Sequence, residues 1–444
     1  MEKSTDIAII GSGLAAYAAA LELEGKGHQV TVVSKAPGAT AMSSGAWDLV
    51  DSPDLGFKQD WESDPTIREL VLRTLRRSEF HPYAICARHF GEEALWSLLE
   101  SSASRAVASL PLAMSSLTER NRVMLSDIGS YKGTALVQSS MQSSDLKGMK
   151  GAKVLVVGIQ GFPNFNAHFI RKALVEIQEN QAHPYIEFAG SWDIALSEDP
   201  ISASLHSVEL AHYFDQEKFF GRFCQEMLRY LEGKVYTHLL LPPVLGLENT
   251  EAILAALKQI SGLQVSETLA SPMSVPGWRL GEAIRKYFEK TGVEILAGDV
   301  VGYDSDKTKL KSLRIHDEDQ RIRLTAKAVI LASGKYLGGG IEKRSSFRET
   351  VFNLPLYCDR QRLNEQSVQQ IATSASRDRQ SFLGLGVRVN PLCQALDEGG
   401  QPTFDNLFAA GSILGSLDPT HERSCSGVAL VSGTVSARSA ASCF

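Results

Sequence analysis

The residues Gly11-Ser12-Gly13-Leu14-Ala15-Ala16 follow the order Gly-x-Gly-x-x-Ala, and each small residue in it has a steric task. The first glycine permits a tight turn, the second lets backbone approach a phosphate, and the third small residue lets the next helix pack against a strand. Free N–H groups and the positive end of the helix dipole then face an anion. The chemistry implied is capture of a nucleotide phosphate.

Two further turns narrow the ligand. Ala332-Ser333-Gly334 ends the run "AKAVILASG", and Gly411-Ser412 ends "NLFAAGS". Small residues after a buried strand let backbone approach a flavin, where a side chain would collide with the ring system or ribityl chain. A single-domain NAD enzyme needs no such return near its C-terminus. At the tip of the second strand, Ser34-Lys35 stands where a dinucleotide site usually carries an acid for two ribose hydroxyls, and a charged lysine has no acceptor. Two readings stay open. In one, no adenosine is held and the phosphate of FMN sits at the helix N-terminus; in the other, Ser34 supplies the ribose contact and FAD is bound. Ser43-Ser44-Gly45 follows at a distance that suits donors near flavin N5 or O4, where negative charge grows on reduction.

No residue is assigned a catalytic role. His421, beside Glu422 and Arg423, follows the last turn, and histidine as a residue type suits acid/base work near neutrality, but a solvated loop is the better reading. His81 before Pro82 reads as a helix boundary and His168 as a packing residue. Arg279 and Arg388 have the chemistry to grip a phosphorylated substrate, and Cys425 reads as buried and inert. The six cysteines, at 86, 224, 358, 393, 425 and 443, show no close pair, so neither a metal site nor a disulfide framework is expected.

These residues need elements to hold them. "DIAIIGSGLAAYAAALELEGKGHQVTVVSK" reads as strand, glycine turn, helix and strand, a βαβ unit. "AKVLVVGIQGFPNFNAHFIRKALVEIQE" reads as a second strand-and-helix unit, with Gly158 and Gly161 ending the strand and Phe169, Ala173 and Ile177 on one helix face. Leu280, Ile284 and Phe288 mark an amphipathic helix, and "KLKSLRIHDEDQRIRLTAKAVILASG" a hairpin feeding a buried strand, Ala328 to Ala332. With 444 residues, two domains are expected. The fold class is α/β: a Rossmann-like two-part flavin-binding domain from 1–57 and 270–444, with an α/β middle domain, 58–269, inserted as a cap. A net charge of -6 without a run of one sign argues against nucleic-acid binding. No stretch reaches the ~20 apolar residues of a membrane span.

The chain resembles the fumarate reductase and succinate dehydrogenase flavoprotein superfamily through "TVVSKAPGATAMSSGA", "AKAVILASG" and "NLFAAGSILGSLD". More closely it resembles the B subunits of anaerobic glycerol-3-phosphate dehydrogenase, through "SSGAWDL", "VVGIQGFPNFNAH", "LPPVLGL", "LASPMSVPGWRL" and "FDNLFAAGSILGSLDP". It departs from them where Ser424 and Ser426 flank Cys425 in place of a more glycine-rich stretch. The resemblance implies an FMN-holding protein that pairs with an A subunit, which contains FAD, and with an iron-sulfur C subunit, which is attached to the cytoplasmic membrane. Such an assembly oxidises glycerol 3-phosphate to dihydroxyacetone phosphate and passes electrons toward quinone. The alternatives are a self-contained FAD oxidoreductase and an assembly protein that keeps only the flavin fold.

Overall fold

The computed structural model describes residues 1–52, 61, 63–179, 186–196, 205–272, 274–317, 320–372 and 380–444. The expected boundary between 57 and 58 lies outside them.

The chain opens with β1 (Glu2–Ile10), α1 (Leu14–Leu23) and β2 (Val30–Ser34), followed by α2 (Ile67–Arg77), α3 (Pro82–Phe90), α4 (Glu92–Ser109) and a short hairpin, β3 (Arg122–Leu125) and β4 (Tyr131–Thr134). Next come β5 (Ala152–Ile159), α5 (Ala167–Glu179), β6 (Ile186–Ile194), α6 (Ser207–Phe214), α7 (Glu217–Leu231), β7 (His238–Leu241), α8 (Thr250–Ser261) and β8 (Gln264–Glu267). Helix α9 (Val275–Thr291) leads to β9 (Glu294–Ala297), β10 (Asp299–Asp306), β11 (Lys309–His316) and the long β12 (Arg321–Leu331). The last stretch holds β13 (Ile341–Lys343), β14 (Phe347–Glu349), β15 (Leu356–Cys358), β16 (Gln361–Arg362), α10 (Val368–Ile371), β17 (Gly386–Val387), β18 (Leu407–Ala409) and α11 (Cys425–Ala441).

The main sheet draws strands from both ends of the chain in the order β10-β11-β12-β1-β2-β9, with β18 also on β12. The first half of β12 pairs antiparallel with β11 and its second half parallel with β18. At one edge Ile10 pairs with Val33 on one side and Leu331 on the other, and Leu331 pairs with Ala409. The carboxyl ends of β18, β12, β1 and β2 therefore stand side by side. Ile7 to Ile10 are buried on both faces, as parallel strands covered by helices must be. The alanine-rich α1 is buried all round, and its small side chains let α11 cross closely: a Cβ on Gly433 would lie 2.5 Å from Ala15 O and 2.9 Å from Ala18 Cβ.

A second sheet, β6-β5-β7-β8, is wholly parallel and has its own core, built largely from residues between Val123 and Val275. The buried sides of α2, α3 and α4 join the first core rather than this one, although the sequence reading groups them with the middle domain. On α5, Ala167, Ile170 and Leu174 face the core and Ile177 packs at its margin. Phe169 is 57% exposed, and the Phe169–Ala173 side of the helix instead covers the Gly129 turn. Phe169 and Ala173 do share a face, but apolar residues occur on two faces of this helix and the core takes the other. His168 is exposed rather than packed.

Glu267 at the end of β8 and Arg279 on α9 join the second sheet to that helix through a fully buried bidentate pair at 2.7 and 3.0 Å. Arg279 Nε also donates to Gly246 O at 2.8 Å, and Glu267 Oε1 accepts from Leu245 N at 2.7 Å. These additional hydrogen bonds help make a charge pair tolerable in the interior.

Candidate cofactor site

The site lies at the edge where the four parallel strands end, on the two sides of β1 where the strand order reverses; ligands of open α/β sheets bind at such switch points. Gly11 N donates to Val33 O at 2.8 Å, Ala332 N to Ile10 O at 2.8 Å, and Ala410 N to Leu331 O at 2.9 Å. Three turns thus leave the sheet from neighbouring positions. Gly11 has φ +111°, and a Cβ there would run into the carbonyl of Ala332 and lie 3.2 Å from Ser333 N. Only glycine allows this approach. Gly411, at φ +78°, would place a Cβ 2.7 Å from that of Ala15, and its N–H donates to Ser432 Oγ on α11 at 2.9 Å. Gly334 faces Ser412, whose Oγ would be 3.5 Å from a Cβ. Gly11, Ser12, Gly13, Leu14 and Ala15 are in this way gathered with Ser333, Gly334, Gly411 and Ser412.

The first turn of α1 has no cap from Gly13 and no acidic residue, which leaves the positive end of its dipole available to an anion. One donor is already used, since Leu14 N reaches Thr40 Oγ1 at 3.1 Å. Ser12 Oγ and Ser34 Oγ lie 2.7 Å apart, and Lys35 extends to Asp299 at 2.5 Å. Ser43, Ser44 and Gly45 lie against α9, Lys132 and Gln138. Gly281 and Gly277 of α9 pack on Ala41 and Ser43, Gln138 Nε2 donates to Gly45 O and Pro276 O at 3.2 and 2.7 Å, and Lys132 Nζ donates to Ser44 Oγ and Asp48 Oδ2 at 3.3 and 2.7 Å.

Behind the Ser333-Gly334 turn lies a polar cluster that sequence reasoning missed. Lys335 is buried and donates to Leu383 O and Leu417 O, each at 2.6 Å; burial pushes its amine down to about 8. Cys425, in the first turn of α11, is pushed up to about 12 by burial, so its thiol stays protonated. His81, the N-cap of α3, accepts from Tyr83 N through Nδ1 at 3.2 Å. That fixes the hydrogen on Nε2, which lies 3.3 Å from both Ser424 Oγ and Glu422 Oε2. His421 is exposed, with its backbone held by Asp418. Lys335 had a legible signal, an ionisable residue directly after a small-residue turn. The His81 contact spans 343 positions and had none.

The two arginines with the chemistry for a phosphorylated substrate are engaged elsewhere. Arg279 is held by Glu267, and Arg388 stacks 3.7 Å over Tyr357 while donating to Asp359 O at 2.8 Å. Among the described residues no His, Cys, Asp and Glu cluster has the makings of a metal site, and the cysteines are free. Ser333 Oγ is buried without a hydrogen-bond partner, an unusual state that a bound polar group would relieve. The uncapped helix end, the turns that exclude a Cβ and this hydroxyl fit a flavin bearing a phosphate.

The family model for the FAD binding domain matches residues 6–428. Among curated proteins, the chain is 25% identical to the B subunit of anaerobic glycerol-3-phosphate dehydrogenase from Pasteurella multocida (strain Pm70), over 97% of this chain and 98% of that one. The protein of the same name from Yersinia enterocolitica is 26% identical, with 96% of each chain covered. Among solved structures, 3-ketosteroid delta1-dehydrogenase from Sterolibacterium denitrificans aligns at 11% identity and a TM-score of 0.43, over 99% of this chain and 100% of its own. The open conformation of a flavocytochrome c3 fumarate reductase aligns at 12% and 0.43, over 99% and 78%. The α/β class rests on the sheets described above and on the family model, and the cofactor class is flavin.

Proposed function

This chain belongs to the FAD binding domain family, and from that premise we infer that it is the FMN-holding B subunit of a quinone-linked anaerobic glycerol-3-phosphate dehydrogenase. The observation that carries the reading is similarity to proteins of that name along nearly the whole of both chains. In it the chain works with an A subunit, which contains FAD, and with a membrane-associated iron-sulfur C subunit. It contributes to oxidation of glycerol 3-phosphate to dihydroxyacetone phosphate and relays electrons toward the quinone pool. A partner holds it at the cytoplasmic membrane; no helix among the described residues is long and apolar enough to cross one. The division into 1–57 with 270–444 around an inserted segment, 58–269, belongs to the same reading, with α2 to α4 of that segment packed on the flavin-binding part.

Flavin, when bound, accepts two electrons and can release them singly. The protein's part is binding and electrostatics. The first turn of α1 offers N–H donors to the phosphate, and the Gly11, Gly334 and Gly411 turns keep side chains out of the cofactor's path. Lys335 holds a cation behind the Ser333-Gly334 turn, which favours negative charge in front of it. In this reading Ser43, Ser44 and Gly45 face the ring. Arg279 and Arg388 are committed to protein partners, which supports a relay role with the substrate held on the FAD-containing partner. The tip of β2 presents a cation where adenosine would need an acceptor, which supports FMN.

The test is to purify the chain, release its cofactor with acid and identify it by mass spectrometry. FMN is expected. FAD would replace this reading with a self-contained FAD oxidoreductase, and protein purified with its partners yet free of flavin would make it an assembly protein. Bleaching of the flavin in the isolated chain by glycerol 3-phosphate alone would overturn the relay role.

A further inference from the structure

We propose that the Lys35–Asp299 ion pair limits the bound flavin to its monophosphate form; the proposal rests on the FMN reading above. In a βαβ nucleotide unit the second strand ends where an adenosine ribose lies, and its two hydroxyls require an acceptor, usually a carboxylate. Here a carboxylate does reach that place, but from another strand. Ser34 pairs with Ala297 of β9, and Gly298 N donates to Ser34 O at 3.2 Å. Asp299, the first residue of β10, therefore emerges beside the tip of β2. Its Oδ2 lies 2.5 Å from Lys35 Nζ.

Both polar groups at the tip are satisfied within the chain. Ser34 Oγ is 2.7 Å from Ser12 Oγ and 3.3 Å from Ala36 O, and Asp299 is neutralised by Lys35. An ammonium has no lone pair for a ribose hydroxyl. Asp299 Oδ2 is engaged by Lys35, so a dinucleotide must compete with that ammonium for the carboxylate, whereas a monophosphate held at the first turn of α1 has no need of it. The side chains are 71% and 48% exposed, so the pair contributes little to folding and can be altered without disturbing the core. Lys35 is thus a specificity residue, and Asp299 is a latent ribose acceptor.

The experiment refolds the wild-type chain and the variants K35A, D299N and K35A/D299N with equal amounts of FMN and FAD, then measures the released flavins by chromatography; circular dichroism checks folding. Wild type is expected to take FMN. K35A frees the carboxylate, and its FAD to FMN ratio should rise roughly tenfold, the worth of a hydrogen bond to a charged group. D299N and the double variant should stay near the wild-type ratio, because the acceptor charge is gone. An unchanged ratio in K35A overturns the filter while leaving the FMN reading intact. Folded K35A without either flavin also overturns it, since Lys35 would then hold the phosphate. Wild type that selects FAD overturns the FMN reading and the filter together.

Discussion

Two strand–turn–helix units of this molecule look alike in sequence and differ in what their turns face. In the first, β1 runs through Gly11 into α1; in the second, β5 runs through Gly161 into α5. The first helix end has no cap from Gly13, and turns from β12 and β18 converge on it. In the second, Asn166 Oδ1 accepts from Phe169 N at 2.9 Å, and Phe162 and Phe165 are buried in the connection itself. A helix end becomes a ligand site when its donors are left for the ligand and neighbouring turns are stripped to backbone. It becomes ordinary structure when a side-chain cap and apolar plugs close it.

The largest test of that contrast is Gly11→Val. At φ +111° and against the Ala332 carbonyl, the variant should abolish flavin binding and cost more than ~2 kcal/mol in strain, read as flavin absorbance per chain and urea midpoint. Gly158→Ala meets the movable Asp193 carboxylate and Ala167 and should lower stability with flavin content unchanged. Loss of flavin from G158A would break the distinction between the units.

Arg279→Met comes next. Stranding Glu267 in the interior should cost about 3–5 kcal/mol in urea unfolding, by the same amount with and without flavin, because the pair secures the second sheet to α9 rather than the ligand edge. A cost that appears only in the flavin-loaded protein would contradict this.

Lys335 gives a pH test on the ligand edge. Its folded value, about 8, lies below the ordinary lysine value of 10.5. Between the two the unfolded chain holds the proton and the folded chain does not, so stability should rise with pH from about 8 to 10.5. The gain is about 3 kcal/mol if no other group titrates. The difference in urea midpoint between wild type and K335M should change across that window; a constant difference would show that Lys335 is not buried as described. The smallest effect is Asn166→Ala, about 1 kcal/mol for one helix cap, with flavin content unaltered.

The first βαβ unit was legible because its glycines face steric demands that no other residue meets, and β12 and β18 because buried runs ended in small residues. Their convergence was not legible, since it depends on the strand order, which sequence spacing does not encode. The same limit hid the partners of the site. Asp299 lies 264 positions from Lys35, and Gln138 lies 93 from Gly45. The helical pattern of α2 to α4 signals that a face is buried, not which core receives it. On α5 the two apolar faces compete, and only packing decides between Ile170 with Leu174 and Phe169 with Ala173.

The double pairing of β12 has a consequence for how the protein is made. A chain emerging from the ribosome presents β5 to β8 within one contiguous span, so that sheet can close early. The ligand edge must wait for Leu407–Ala409 to reach Val329–Leu331. The cradle is therefore complete only once β18 has joined β12. A chain that stops before β18 would leave Val329–Leu331 without their partners and would lack the Gly411 turn, an open strand edge where the finished protein has a cradle.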